Sequence, residues 1–252
     1  MLRSFYIAGT GMLTQRSKMD VIINNITNVD TTGYKKDQVV SRSFADMLLD
    51  RLNDPSILNQ TTYVGGQNTG VYVDELVIDF TQGPMEVTDI QTDLAIAGDG
   101  FFCVQTPEGL RYTRSGNFQV DATGTLLTQE GNYVLGTNGE RLNVGTGDFT
   151  VNSNGDIFVE GQNVGRLRIV RFNDNNVLRK AGGNLYYAYN GENPDVMQNP
   201  NVVQGALEGS NLDIGREMAE MLTTNRLYES NQRILKMVDE SLSKTVNDIG
   251  RF

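Results

Sequence analysis

Apolar residues recur at every seventh position near both ends of this chain, and a glycine-rich stretch without that repeat separates the two ends. Toward the amino terminus Phe5, Met12, Met19 and Ile26 make one row, with Ala8, Gln15, Ile22 and Val29 beside it. Toward the carboxyl terminus Ile214, Met221, Tyr228, Leu235, Leu242 and Ile249 make a longer row. Its companion row, Met218, Asn225, Gln232, Asp239 and Val246, is polar at the centre. A sevenfold apolar repeat belongs to a helix that packs along a narrow seam. The commoner use of such a stripe is an amphipathic helix lying on a globular body, but its persistence at both ends favours pairing of the termini as an α-helical coiled coil. The first helix should stop where Asn28, Asp30, Thr31, Thr32 and Gly33 gather, because short polar side chains compete for backbone hydrogen bonds and Gly33 can take a positive φ. Asn211 or Asp213 can cap the second, with Glu217 favourably placed in its first turn.

The middle keeps a different rhythm. Val71, Val73, Leu76, Ile78 and Phe80 mix alternation with β-branching, and glycines at 109, 116, 124, 131, 139, 147 and 155 leave room for strands of a few residues. Strings such as Ser115-Gly116-Asn117, Asn138-Gly139-Glu140 and Asn154-Gly155-Asp156 mark tight turns, so the expected body is an antiparallel β domain of short hairpins, wrapped as a small barrel or sandwich. Before it, Phe44, Met47, Leu48, Leu49 and Leu52 could form two turns of helix that Pro55 would stop, and Asn59 to Gly70 is rich in Gln, Thr, Asn and Gly. This stretch reads as an extended connector, with a floppy linker as the plain alternative. The expected fold class is therefore α+β, with an N-terminal coiled-coil helix over 1–34, a connector over 35–70, a central mainly antiparallel β domain over 71–205, and a C-terminal coiled-coil helix over 206–252.

Composition narrows the chemistry. The chain has no histidine and one cysteine, which removes histidine general bases, Ser-His-Asp triads, zinc sites of His and Cys, and any internal disulfide. A net charge of −10 is the wrong sign for gripping phosphate backbones, and nucleic acid is not an expected partner. Residues 1–40 carry +2 and residues 207–252 carry −2, so the middle holds the whole excess of negative charge. Gly98-Asp99-Gly100 leads into Phe101 and Phe102 without the third glycine of a dinucleotide fingerprint, and no P-loop is present. Asp93, Asp99 and Asp121 have nothing placing two of them across a cleft, and Asn173 to Asn176 lacks the spacing of a calcium loop. No catalytic residue, metal site, cofactor or small-molecule substrate is expected, and Cys103 reads as a buried structural thiol. The apolar start is broken at Gly9, Thr10 and Gly11, unlike a cleaved signal peptide. The expectation is a cytoplasmic chain or one exported with its amino terminus retained.

Three strings are more specific than any of these patterns. Asn24-Asn25-Ile26-Thr27-Asn28-Val29-Asp30-Thr31-Thr32-Gly33-Tyr34-Lys35 resembles the amino-terminal signature of the bacterial flagellar rod and hook proteins, with Thr27 standing where alanine is usual. Gly98 to Phe102, followed by Tyr112-Thr113-Arg114-Ser115-Gly116-Asn117-Phe118, resembles that family's central block. Leu207-Glu208-Gly209-Ser210-Asn211 and Arg226-Leu227-Tyr228-Glu229-Ser230-Asn231 resemble its carboxyl-terminal block, and the three come in the family's order. Asn24, Asn25, Asn28, Gly33, Tyr34, Gly209, Ser210 and Asn211 are accordingly the motif residues to follow. The length of 252 suits the rod subunits, the opening Met1-Leu2-Arg3-Ser4 leans to the distal type, and Leu207 to Asn211 leans to the proximal.

The resemblance implies a structural subunit of the basal-body rod in the cell envelope, exported through the flagellar type III apparatus without a cleaved signal. It implies a homo-oligomeric helical polymer that meets other rod and hook proteins and carries motor torque to the hook. Leftover apolar residues outside the seams, among them Ile7, Leu13, Leu222, Leu227 and Met237, then find partners on neighbouring copies. A secreted β-rich adhesin with helical stalk ends is the competing class, to be told apart by closed trimers, and an enzyme ranks last.

Overall fold

The computed structural model describes residues 2–51, 62–145, 147–189, 191 and 193–249. It is an α+β chain with a long helix near each end, α1 (Leu2–Thr27) and α2 (Ile214–Ile249), and short, mainly antiparallel strands between them. The chain divides into two compact units. One is built from Met1–Ile26, Asp37–Val77 and Ile214–Phe252, the other from Thr27–Lys36 and Ile78–Asp213.

In the first unit, strand Asp37–Ser43 pairs with Val71–Ile78, and Met47–Arg51 pairs antiparallel with Thr62–Gln67 in the register Met47↔Gln67. The run from Phe44 to Leu49, where two helical turns were possible, is thus a short irregular link followed by the start of strand Met47–Arg51. A short apolar run has no period that separates helix from strand, and here cross-strand partners decide. Phe44 is fixed beside two aromatic rings, Tyr72 at 5.1 Å and Tyr6 at 6.3 Å between centroids, and its N–H donates to Gly70 O at 3.0 Å. Leu52, Pro55 and Asn59 lie outside the described residues.

The second unit is organised around strand Phe101–Thr106. It pairs with Gly109–Thr113 on one side, and on the other with Tyr133–Val134 and with Ile169–Arg171. Because successive side chains leave a strand on opposite faces, Phe102 and Val104 enter one apolar cluster with Leu94, Phe118, Leu126 and Ile157, while Phe101 and Cys103 enter a second with Tyr112, Phe172, Leu178 and Tyr186. The neighbouring Ile169 and Val170 divide between the clusters in the same way. Edge-on ring pairs lock both: Phe102 against Phe118 at 5.2 Å, and Phe101 against Phe80 at 5.4 Å. Gly116, read from sequence as a turn glycine, serves close approach, since a Cβ there would stand 1.6 Å from the Leu94 carbonyl oxygen.

Cys103 is fully buried, and burial pushes its thiol up to about 12. Thiolate is the nucleophile in alkylation. The folded chain at neutral pH should therefore resist iodoacetamide, and denaturant should release one reactive thiol per chain. Ready labelling of the native protein, read by mass spectrometry, would show that this strand opens easily.

Candidate functional site

Two features carry the residues that the sequence singles out: the meeting of the terminal helices in the first unit, and a buried ionic cluster in the second.

Side chains of α1 and α2 meet at three levels. Asn25 Nδ2 donates to Glu217 Oε2 at 3.4 Å, Lys18 Nζ and Glu220 Oε1 are 2.7 Å apart, and a Cβ on Gly11 would lie 3.0 Å from Asn231 Nδ2. As numbers rise along α1 they fall along α2, so the helices run antiparallel. Asn25 is the anchor of this end: its amide also donates to Asp37 O at 2.9 Å and accepts from Asp37 N–H at 3.0 Å. One motif side chain thereby joins α1, the returning chain and α2. Thr14 Oγ1 adds a long bond to Val71 O at 3.4 Å.

On α2 the companion row is displaced from the one read from sequence, while the other rows are largely sheltered. In α1, Ala8, Ile22 and Asn25 are buried, Met12, Met19 and Ile26 are half-buried, and Phe5 is 48% exposed. In α2, Met221, Tyr228, Leu235 and Leu242 are half-buried, and Ile214 is exposed. The companion row that is sheltered lies at Glu217, Thr224, Asn231, Val238 and Thr245, one residue before the row read from sequence. Met218 and Val246 are exposed instead. From a given row, a step of three or of four reaches a neighbouring stripe, and both candidate stripes here are mostly polar. The side chain of Ile249 lies outside the described residues.

Both helices keep large apolar side chains in water. Phe5, Tyr6, Ile7, Leu13 and Ile23 project from α1, and Leu13 is 65% exposed. On α2, Ile214, Met218 and Leu222 follow one another four residues apart, while Leu227 and Ile234 fall on the far side of the same helix. Isolated exposed leucines are ordinary, but two separate apolar lines on one helix mark contact surfaces.

In the second unit the three family strings converge on Glu208. Lys35 and Glu208 are completely shielded, at 0% and 1% side-chain exposure, with Nζ and Oε1 2.5 Å apart. Arg114, equally buried, reaches the other carboxylate oxygen through Nη1 at 3.3 Å and also donates to Gly98 O at 2.8 Å. Lys35 Nζ donates further to Thr81 O at 2.6 Å, and Gly83 N–H donates to Glu208 Oε1 at 3.1 Å. Burial drives both cations below their ordinary values, and Glu208 opposes it in each case. A buried charge is tolerable only when paired and hydrogen-bonded, so one carboxylate serves two cations and a backbone amide.

Motif glycines and amides shape the shell around this cluster. Gly33 has φ +67°, its N–H donates to Glu208 O at 2.7 Å, and a Cβ there would lie 2.5 Å from Arg114 C. Asn211 accepts from Lys36 N–H at 3.0 Å and donates to Asp79 O at 2.8 Å. Tyr34 lies buried under Lys180, whose Nζ is 4.1 Å from the ring centroid. Gly209 N–H donates to Pro84 O at 2.8 Å, and Ser210 is buried beside it. Asn28 closes the turn after α1, accepting at its carbonyl from Thr31 N–H at 3.1 Å, while Asn24 stands exposed. Lys35, Arg114 and Glu208 themselves were not singled out beforehand. The available signal was a charge within two residues of a glycine in each string: Lys35 near Gly33, Arg114 near Gly116 and Glu208 beside Gly209.

Comparison with known proteins matches the same strings. Residues 5–35 match the model described as flagella basal body rod protein, 95–159 match the flagellar hook protein FlgE/F/G D1 domain, and 203–249 match the flagellar basal body rod FlgEFG protein C-terminal model. The chain is 36% identical over 266 residues to the flagellar basal-body rod protein FlgG of Bacillus subtilis (strain 168), covering 98% of this chain and 99% of the relative. It is 33% identical over 271 residues to the flagellar hook-basal body complex protein FlhO of the same strain, covering both chains fully. To the flagellar basal-body rod protein FlgF of Caulobacter vibrioides it is 32% identical over 251 residues, covering 99% of this chain and 98% of the relative.

Proposed function

Because the chain belongs to the family of bacterial flagellar basal-body rod proteins, a structural family, we propose that it is a distal rod subunit whose paired terminal helices pack with those of further copies into a helical tube. The two apolar lines on α2 carry this reading. One partner helix covers one face, and lines on two sides call for more than one neighbour. Contacts between unlike surfaces, repeated by a screw operation, build a filament that does not close. Met1-Leu2-Arg3-Ser4 and Ile7-Ala8-Gly9-Thr10-Gly11 support the distal type, against Leu207 to Asn211, which is nearer to the proximal. On this reading the chain leaves the cell through the flagellar type III export apparatus and works in the basal body within the envelope. There it meets other rod and hook proteins at the ends of its stack and transmits torque between them. The stretch from Val39 to Gly70 supplies contacts between axial layers.

The test is polymerisation of the purified chain carrying Leu222→Glu together with Leu227→Glu, followed by light scattering and electron microscopy. Leu222 and Leu227 are 62% and 49% exposed, so the folded monomer should keep its helix content and melting temperature. Burial of one leucine is worth about 1.5–3 kcal/mol, and each ~1.4 kcal/mol is a factor of ten. The critical concentration should rise at least ~tenfold. Unchanged assembly of a well-folded double variant would refute the packing role of these lines.

A further inference from the structure

The ionic cluster, in which Lys35 and Arg114 share Glu208 and feel Asp79 and Asp99 as well, borders a recess of 250 Å³ in the same unit. Arg114 forms part of the recess wall, together with Asp99, Phe101, Arg171, Asn173 and Asn175. Its guanidinium carbon lies 5.2 Å from the Phe101 ring centroid, and its buried Nε has no acceptor among the described residues. Arg171 stands exposed at the rim and makes no ion pair there with any described residue. Asp195 is its cross-strand neighbour, but the two are not within salt-bridge reach. Among the described residues, Asp99 is the one carboxylate lining the recess, against two guanidinium groups.

A concave, polar site with converging guanidinium groups selects a planar anion, because the guanidinium fork matches a carboxylate with two parallel hydrogen bonds. The two phenylalanines on the wall, Phe101 and Phe172, are buried and offer no open ring face to a sugar or base. We propose that this recess binds a carboxylate group, gripped by Arg171 and met by the unpartnered Nε–H of Arg114, with the asparagine amides 173 and 175 as flanking donors. The group is supplied by an acidic side chain of a neighbouring copy, a source that rests on the assembly reading above. The chain's net charge of −10 leaves carboxylates in excess over basic partners. Seating one here would remove some of that repulsion between copies.

The experiment titrates sodium acetate into the purified, 15N-labelled full-length chain at constant ionic strength, with sodium chloride as the control anion. Saturable shifts of the Gly100, Asn173 and Asn175 amides are expected with acetate only, and Arg171→Gln, an exposed change, should weaken acetate binding at least tenfold. Equal responses to chloride and acetate, or none, would overturn the proposal. The source is read from polymerisation. If a neighbour's carboxylate occupies the recess, acetate slows assembly of the wild-type chain, and Arg171→Gln assembles poorly and is indifferent to acetate. Acetate binding that leaves assembly untouched would overturn the neighbour as the source while leaving the rod reading standing, because the Leu222 and Leu227 test is independent of it.

Discussion

Replacing Glu208 with alanine should cost about 3–5 kcal/mol of folding stability, the range found when one partner of a buried ion pair is removed. The loss is large because it leaves Lys35 and Arg114 without the carboxylate that both now touch, in a place where both side chains are almost wholly buried. A domain of ordinary stability holds only ~5–15 kcal/mol in total, so this single change should bring the β unit close to unfolding at physiological temperature. Tyrosine fluorescence in a urea titration is a suitable readout, since the chain has ten tyrosines and no tryptophan. Lys35→Met is the informative partner variant. It removes one of two cations, leaves Arg114 paired with Glu208, and should be milder than Glu208→Ala. A loss below ~1 kcal/mol for Glu208→Ala, or a larger loss for Lys35→Met, would mean that the cluster is not the electrostatic knot described here.

Gly33→Ala should be comparably damaging for a steric reason. Its φ of +67° places it in the left-handed region, where a residue with a Cβ loses roughly 1–2 kcal/mol. The new methyl would in addition stand 2.5 Å from both Arg114 C and Ser115 N, backbone atoms of the strand end that delivers Arg114 to Glu208. Forcing apart a packed contact of this kind costs a further ~1–3 kcal/mol. The total, about 2–5 kcal/mol, can be separated into its parts with Gly131→Ala. Gly131 has φ +83° and nothing within 4 Å of its would-be Cβ, so it should show the conformational part alone. Equal losses at the two glycines, measured by urea denaturation, would remove the close approach at Gly33 from the account.

Both experiments bear on why the three motif strings recur as a set. Lys35 comes from the chain just after α1, Arg114 from the end of strand Gly109–Thr113, and Glu208 from strand Ala206–Glu208 just before α2. The cluster therefore clamps together, inside one unit, the two segments through which the chain passes to and from its terminal helices. Asn25 and Asn211 act alike through uncharged amides, Asn25 bonding to the backbone of Asp37 and Asn211 to the backbone of Lys36 and Asp79. None of these residues is exposed enough to be an assembly contact. The motif reads as structural wiring, and on the proposed reading it is the less distinctive exposed apolar residues of the helices that would meet neighbouring copies.

The sequence by itself determined the two helical ends and the strand-rich body between them, but not the strands Asp37–Ser43, Met47–Arg51 and Thr62–Gln67 of the connector. Heptad spacing over 2–27 and 214–249 admits only helices, and closely spaced glycines with β-branched runs admit only short strands. It also located the helix stop at Asn28–Gly33, because capping chemistry is local. What it left open, tertiary structure decided. Which of two polar rows on α2 turns inward depends on what α1 presents, and Thr224 against Asn225 is no choice that one helix can make alone. Whether Phe44 to Leu49 runs into a paired strand depends on Tyr72 and on a strand that begins at Thr62. The largest omission, the cluster of Lys35, Arg114 and Glu208, joins residues 79 and 94 positions apart along the chain. No spacing rule reaches that far, and a charge carries no mark in the sequence of the partner that makes its burial possible.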